Sequence, residues 1–291
     1  MPTGLPDDVE IVDPHVHIGH RSSGAYPDRT GTQSLIGDYV LDDLLREAES
    51  LNLVKAVHVE AFPVDGVLEA RHVALIAEQA GAIPIGIVAF CNLSAPDASS
   101  RLEALAAIGS VRGIRQILDR HVEHLSGGVF DLMEDSQWRR HFGRLKAFDF
   151  SFDLQLRPEQ AGAAARLAKE NPETLIVVDH LGNLADRSPA GLLRWREGLR
   201  QLAEQDNVCI KLSGLAMYDP NWTVESARPF VLEAIDAFTP ERSMFASNFP
   251  VDRKNRSYGD LWASFLEMVE DFTPAEKRRL FRENAEASYR I

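Results

Sequence analysis

The chain has 291 residues, 45% hydrophobic and 26% charged, with 44 acidic against 31 basic side chains and a net charge of −13. Such an acidic balance argues against a nucleic-acid-binding surface, because phosphates would be repelled. The apolar fraction is enough for one large core, and the length suits a single α/β barrel over residues 1–291.

The N-terminal MPTGLPDDVE has no basic region and no hydrophobic stretch, so it does not read as a signal peptide. No run approaches the roughly 18 apolar residues of a membrane helix. These features predict a cytoplasmic protein with no membrane partner. Cys91 and Cys209 each lie inside an apolar run and read as reduced packing residues.

In chain order, Val-, Ile- and Phe-rich runs predict eight strands, at 9–13, 55–60, 83–90, 111–118, 150–156, 175–180, 208–213 and 243–248. Amphipathic helices lie between them. Leu41, Leu44, Leu45, Ala48 and Leu51 follow helical spacing, as do Leu192, Trp195, Leu199 and Leu202, and then Ala227, Phe230, Ala234, Ile235 and Phe238. Ser188-Pro189 places a capping hydroxyl before a first-turn proline, and Thr273-Pro274-Ala275-Glu276 reads as a capping box. The charged run EKRRLFRE belongs to a final extra helix. Trp138, Phe142 and Phe148 read as outer-layer packing.

Eight strands alternating with helices predict a (β/α)8 TIM barrel. The first strand is followed by HVHIGHRSSG, which lacks the glycine fingerprint of a doubly wound dinucleotide fold. Long connections at 18–37 and 119–134 follow strands and fall on the C-terminal face, where barrel active sites are built. His121 and His124 in the second loop read as solvated.

Polar residues gather at the strand ends. His15 and His17 are two apart, so an extended strand projects them together. His58 and Glu60 share a face of strand two, and Arg115 ends strand four. In strand five, Ser151, Asp153, Gln155 and Arg157 alternate with Phe152, Leu154 and Leu156, which predicts a polar inner face. His180 ends strand six, Lys211 and Ser213 share a face of strand seven, and Asn248 ends strand eight. Asp179 is expected to face away from His180. Imidazole, carboxylate, amide and guanidinium groups on one barrel face suit a catalytic pocket, since burying them is costly unless they pair or work.

The set DPHVHIG, GIRQIL, FDLQLRP, VVDHLGN, IKLSGL and MFASNFPVD resembles the amidohydrolase superfamily, in particular its L-fuconolactonase-like and pyrone-dicarboxylate-lactonase-like branch. The resemblance implies a distorted (β/α)8 barrel and hydrolysis at a carbonyl, in carbohydrate or aromatic catabolism. Its histidines map onto His15, His17 and His180, and these would hold one divalent metal ion such as zinc, if a metal is bound. The family's strand-eight aspartate is here Asn248, a weak ligand that takes up no proton at neutral pH. Arg115 stands where a metal-bridging lysine would be needed for a binuclear site. This set favours a site without metal.

The expected function is hydrolysis of a lactone or related ester or amide, with a carboxylated small molecule as substrate. His15, His17, His180, Asn248 and Glu60 are the candidate catalytic residues. Arg115, Gln155, Arg157, His58 and Lys211 are the candidate substrate contacts, Arg115 and Arg157 through forked bonds to the substrate carboxylate. A lactone isomerase or lyase using histidine proton shuttling, and a non-catalytic small-molecule binder, are the alternatives. Self-association into a homo-oligomer is left open.

Overall fold

A computed structural model describes residues 9–20, 23–26, 38–119 and 132–291. His121 and His124 lie outside the described residues, as does most of the 18–37 connection. The strands are β1 (Glu10–Val16), β2 (Asn52–Val59), β3 (Ile85–Phe90), β4 (Val111–Arg115), β5 (Ser151–Leu154), β6 (Ile176–Val178), β7 (Val208–Leu212) and β8 (Ser243–Phe245). They run parallel in sequence order, as the apolar runs predict.

The outer ring comprises α1 (Leu41–Glu47), α2 (Gly66–Ala80), α3 (Ala98–Ala106), α4 (Ser136–Phe142), α5 (Ala161–Glu170), α6 (Pro189–Ala203), a short α7 (Leu215–Tyr218) with α8 (Val224–Phe238), and α9 (Tyr258–Met268). Ser188 Oγ caps α6 by accepting from Gly191 N at 3.1 Å. Thr273 and Glu276 close the capping box that starts α10 (Pro274–Arg278). A π-helical turn then leads into α11 (Asn284–Tyr289).

The core has two parts. The strand–helix layer holds most large apolar side chains, including Trp138, Phe142 and Phe152, which pack with ring centroids 5.2–5.7 Å apart. Inside the barrel, Val12, Val57, Val59, Val88, Val177, Cys209 and Met244 form a second cluster with Ala285 and Tyr289 of α11. Branched valines fill such a narrow interior with little loss of rotamer freedom. Helix α11 and the C-terminal residues cover the N-terminal end of the barrel, where Lys55 Nζ donates to Ile291 O at 2.8 Å.

The barrel is distorted at the β8–β1 seam. A bridge between Val16 and Phe249 joins the two chain segments beyond β8. There, Asn248 N donates to His15 O (2.9 Å) and His17 N to Phe249 O (2.7 Å). Below that bridge the Asp13 carboxylate replaces ladder bonds, accepting from Ser247 N (3.0 Å), His15 N (3.2 Å) and the Tyr258 hydroxyl (2.8 Å). Among the described residues no helix is long and apolar enough to cross a membrane.

Candidate active site

Two backbone irregularities build the site. In β1, Asp13 and Val16 oppose Ala56 and His58 of β2, three steps against two. This bulge at Pro14 changes which residues face inward. Val12 lies in the interior cluster below it, and His15 and His17 enter the cavity above it. At the end of β6, His180, Leu181, Gly182 and Asn183 have φ of 52°, 54°, 65° and 68°. A left-handed conformation costs about 1–2 kcal/mol for each non-glycine residue. Packing holds the turn, with Trp195 Nε1 donating to Leu181 O at 2.7 Å.

That turn corrects the expectation for Asp179. Strand alternation places Asp179 inward with Val177, and the left-handed turn swings His180 round to join it. The ring centroid of His15 is 4.9 Å from that of His17 and 4.6 Å from that of His180. Gly214 makes room, since a Cβ there would lie 2.8 Å from the His180 ring.

Each imidazole has its Nδ1 engaged. His17 Nδ1 donates to Val59 O at 2.8 Å, and His180 Nδ1 pairs with Ser213 Oγ at 2.9 Å. His15 Nδ1 faces Asp179 Oδ1 at 3.3 Å and Lys211 Nζ at 3.2 Å. Its Nε2 is buried without a partner. Burial holds all three rings below the ordinary histidine range, His180 at about 4, so they stay neutral near pH 7.

Beneath the rings lies a charged floor. Lys211 Nζ donates to Asp153 and lies 3.2 Å from Asp179 Oδ1, while the Tyr289 hydroxyl reaches up from α11 to Asp153 at 2.9 Å. Burial raises the Asp153 carboxyl to about 6, against the pull of Lys211. Burial acts likewise on Asp179, but Lys211 and His15 outweigh it and hold that carboxyl well below the usual range.

Arg115 does not present its fork to a substrate. Its Nε donates to Glu60 Oε1 (2.9 Å), its Nη2 to Glu60 O (2.7 Å) and its Nη1 to Asp179 Oδ2 (3.3 Å), and it is 2% exposed. Glu60 is committed in turn, since its other oxygen accepts from Phe62 N at 2.8 Å. The pair braces the site, and neither group is placed as a substrate clamp or a water-activating base.

His58 and Lys211 also depart from the expected substrate contacts. Val57 and Val59 face inward, so His58 points out toward α2. Its Nδ1 accepts from Ile18 N at 3.0 Å and its Nε2 lies 3.6 Å from Glu69. Lys211 is fully buried in the floor. Gln155 Nε2 donates to Asp119 Oδ2 at 3.0 Å, beside the second long loop. Arg157 is half-buried where its backbone N caps toward Gln160.

Asn248 is buried with a left-handed backbone, φ 59°. Its Nδ2 donates to Asp252 Oδ1 at 2.9 Å and approaches Met217 Sδ at 3.3 Å. Burial pushes Asp252 up to about 7. No motif in the sequence marks Asp252 or Tyr218, and burial raises the Tyr218 phenol above its ordinary range.

A metal ion fits this donor set. His15, Asp179 and His180 offer ligand atoms within 4.8 Å of one another, while His17 lies outside that limit. Distance alone therefore favours Asp179 over His17. However, Asp179 already serves Arg115 and Lys211, so the neutral rings are the better donors, with His15 and His180 common to both sets. Glu60, Asp153 and Asp179, when ionised, outnumber Arg115 and Lys211 by one charge, which favours a bound cation.

A parallel barrel with imidazoles from β1 and β6 at its C-terminal mouth has the layout of a barrel enzyme. The chain belongs to the amidohydrolase family, whose model matches residues 12–291. It is 35% identical to an uncharacterized protein of Sinorhizobium fredii, over 98% of this chain and 99% of that one. It is 26% identical to an L-fucono-1,5-lactonase of Burkholderia ambifaria, over 96% of this chain and 95% of the lactonase. An amidohydrolase from Burkholderia multivorans, solved with bound zinc, superposes with a TM-score of 0.83 at 25% identity, covering 97% of this chain and 99% of that one. The expectation of a metal-free site finds no support here. It rested on Asn248 and on Arg115 standing in place of a bridging lysine, and the grouping of His15, Asp179 and His180 uses neither residue.

Proposed function

We propose that the protein hydrolyses the lactone of a sugar acid, with one divalent metal ion held by His15, His17 and His180. The observation that carries this reading is the convergence of three imidazoles that burial keeps neutral, with His17 and His180 bonded through Nδ1. A bound divalent ion would polarise the carbonyl and lower the pKa of a bound water to about 7. The chain's own groups do the rest. Val59 O and Ser213 bond two of the rings, Lys211 Nζ and Asp179 Oδ1 both lie against Nδ1 of the third, and Arg115 with Glu60 keeps Asp179 in place.

The L-fucono-1,5-lactonase relatives, at 26% and 27% identity, support a sugar lactone. Three of the five Arg115 N–H donors are committed to Glu60 and Asp179, which weighs against Arg115 as the carboxylate clamp expected from sequence. Asn248 favours a second reading, isomerisation of a lactone, because an amide cannot take a proton from water. Turnover of a sugar-lactone panel in 18O water separates the two. Hydrolysis adds one labelled oxygen to the product, and an unlabelled product of unchanged mass would overturn the hydrolase reading.

A further inference from the structure

Tyr289 enters the barrel from the end opposite the imidazoles. It belongs to α11, lies in the interior cluster with Val12, Val88 and Val177, and is fully buried. A phenylalanine would fill the same space without taking a hydroxyl out of water, which is costly unless the hydroxyl is bonded. Here it donates to the Asp153 carboxylate, 3.0 Å from Oδ1 and 2.9 Å from Oδ2. The Lys211 ammonium, which pairs with Asp153, stands 5.3 Å from the centroid of the Tyr289 ring. Tyr289 thus meets both members of the buried ion pair.

We propose that Tyr289 is a positioning residue of the active site, acting from the far end of the barrel: its hydroxyl fixes the Asp153 carboxylate, which fixes the Lys211 ammonium against Nδ1 of His15. The assignment rests on the lactonase reading above, in which His15 is a metal ligand. The contacts form an unbroken series. Tyr289 donates to Asp153, Asp153 accepts from Lys211 Nζ, and Lys211 Nζ lies 3.2 Å from both His15 Nδ1 and Asp179 Oδ1.

An aspartate turns easily about its last torsion, whose energy wells are broad. A donor shared between both oxygens holds that turn at one setting, with Oδ2 toward Lys211. An ammonium carries three N–H donors on a flexible stem, so its acceptors decide where it sits. Without the Tyr289 bond the carboxylate turns freely, and the ammonium is held less firmly beside His15. Tyr289 is itself anchored by the residues that follow it. Arg290 Nη2 donates to Arg112 O and Asp149 O, each at 2.6 Å, and Lys55 Nζ donates to Ile291 O at 2.8 Å. These bonds tie the end of α11 to β2, β4 and the approach to β5.

Steady-state kinetics on a sugar lactone and calorimetric zinc titration, both on the full chain, test this. Tyr289→Phe keeps the ring and removes the hydroxyl. It should lower kcat and zinc affinity by about 10-fold each with little change in KM, the scale of loss when support behind a metal ligand is removed. Arg290→Ala removes bonds of the same helix end that are not made to Asp153 or Lys211, so it should melt earlier and keep wild-type kcat. In an Asp153→Asn background, Tyr289→Phe should add little further loss, because the carboxylate it holds is already gone. If Tyr289→Phe does not fold, Asp153→Asn alone carries the test and should lower both readings by at least as much. Wild-type kcat and zinc affinity in folded Tyr289→Phe or Asp153→Asn, or an equal loss of kcat in Arg290→Ala, would overturn the assignment and leave the lactonase reading standing. A wild-type enzyme that opens no lactone would remove the lactonase reading, and zinc affinity would still decide the role of Tyr289.

Discussion

Asp179 Oδ1 lies 3.3 Å from His15 Nδ1, although the two residues come from β6 and β1 on different sides of the barrel. The approach sets the imidazole against the charged floor, because Asp179 also meets Arg115 and Lys211, and Lys211 Nζ itself lies 3.2 Å from His15 Nδ1. Asp179→Asn keeps the shape and removes the charge. Turnover should fall by about 10–100-fold, as for other groups that orient a metal-binding histidine. Steady-state kinetics beside a thermal melt checks this, and unchanged turnover in a folded variant would deny Asp179 that role.

Arg115 and Glu60 are both buried and bonded to each other. Removing one partner strands the other charge out of water, which costs about 3–5 kcal/mol. Arg115→Met and Glu60→Gln should each destabilise the fold on that scale in urea titrations. The double variant should lose less than the sum, since the second change removes the stranded group. Strict additivity would show that the pair is not coupled.

Gly214 has φ 68° and lies against the His180 ring. Gly214→Ala adds a Cβ 2.8 Å from that ring, at a backbone angle a side chain resists. The ring must move, so metal affinity and turnover should both fall while far-ultraviolet circular dichroism stays native-like. Calorimetric titration with zinc reads the first effect directly, and wild-type zinc affinity would show that the ring tolerates the change.

The elevated Asp252 carboxyl makes a signed prediction about pH. Its folded value of about 7 exceeds the ordinary 3.8, so folding favours the protonated form. Its contribution to stability is fully present below about pH 3.8 and is lost as pH rises through about 7. Asp252→Asn has no proton to lose. Relative to wild type, the variant should gain stability between pH 4 and pH 8, by up to about 4 kcal/mol at 1.36 kcal/mol per pKa unit. Parallel melting curves of the two proteins against pH would contradict the burial argument.

Much of the fold was legible because its signals are local. The β5 run shows why, since Phe152 and Leu154 alternate with Ser151 and Asp153, and the structure places the apolar pair against helices and Asp153 inside. The caps at Ser188 and Thr273 were readable for the same reason. The site was legible in its histidines and less so in its partners. Alternation was the right rule for Asp179, but the left-handed turn after it brings His180 to the same side, and no motif announces four successive positive φ angles. The interior valines Val57 and Val59 could have shown that His58 faces outward. Tyr289 is 136 residues from its partner Asp153, and only the path of the chain brings them together. Arg115 looked like a substrate clamp because sequence reveals a side chain's chemistry before it reveals its partners.

The central claim is that His15, His17 and His180 act as one neutral donor set for lactone opening. The most direct test is turnover of L-fucono-1,5-lactone by zinc-loaded wild type and by His180→Ala, with bound zinc measured in the same samples. The proposed function predicts about one zinc per wild-type chain with ready hydrolysis, and loss of both in a folded His180→Ala. Full zinc content and full turnover in His180→Ala would contradict it.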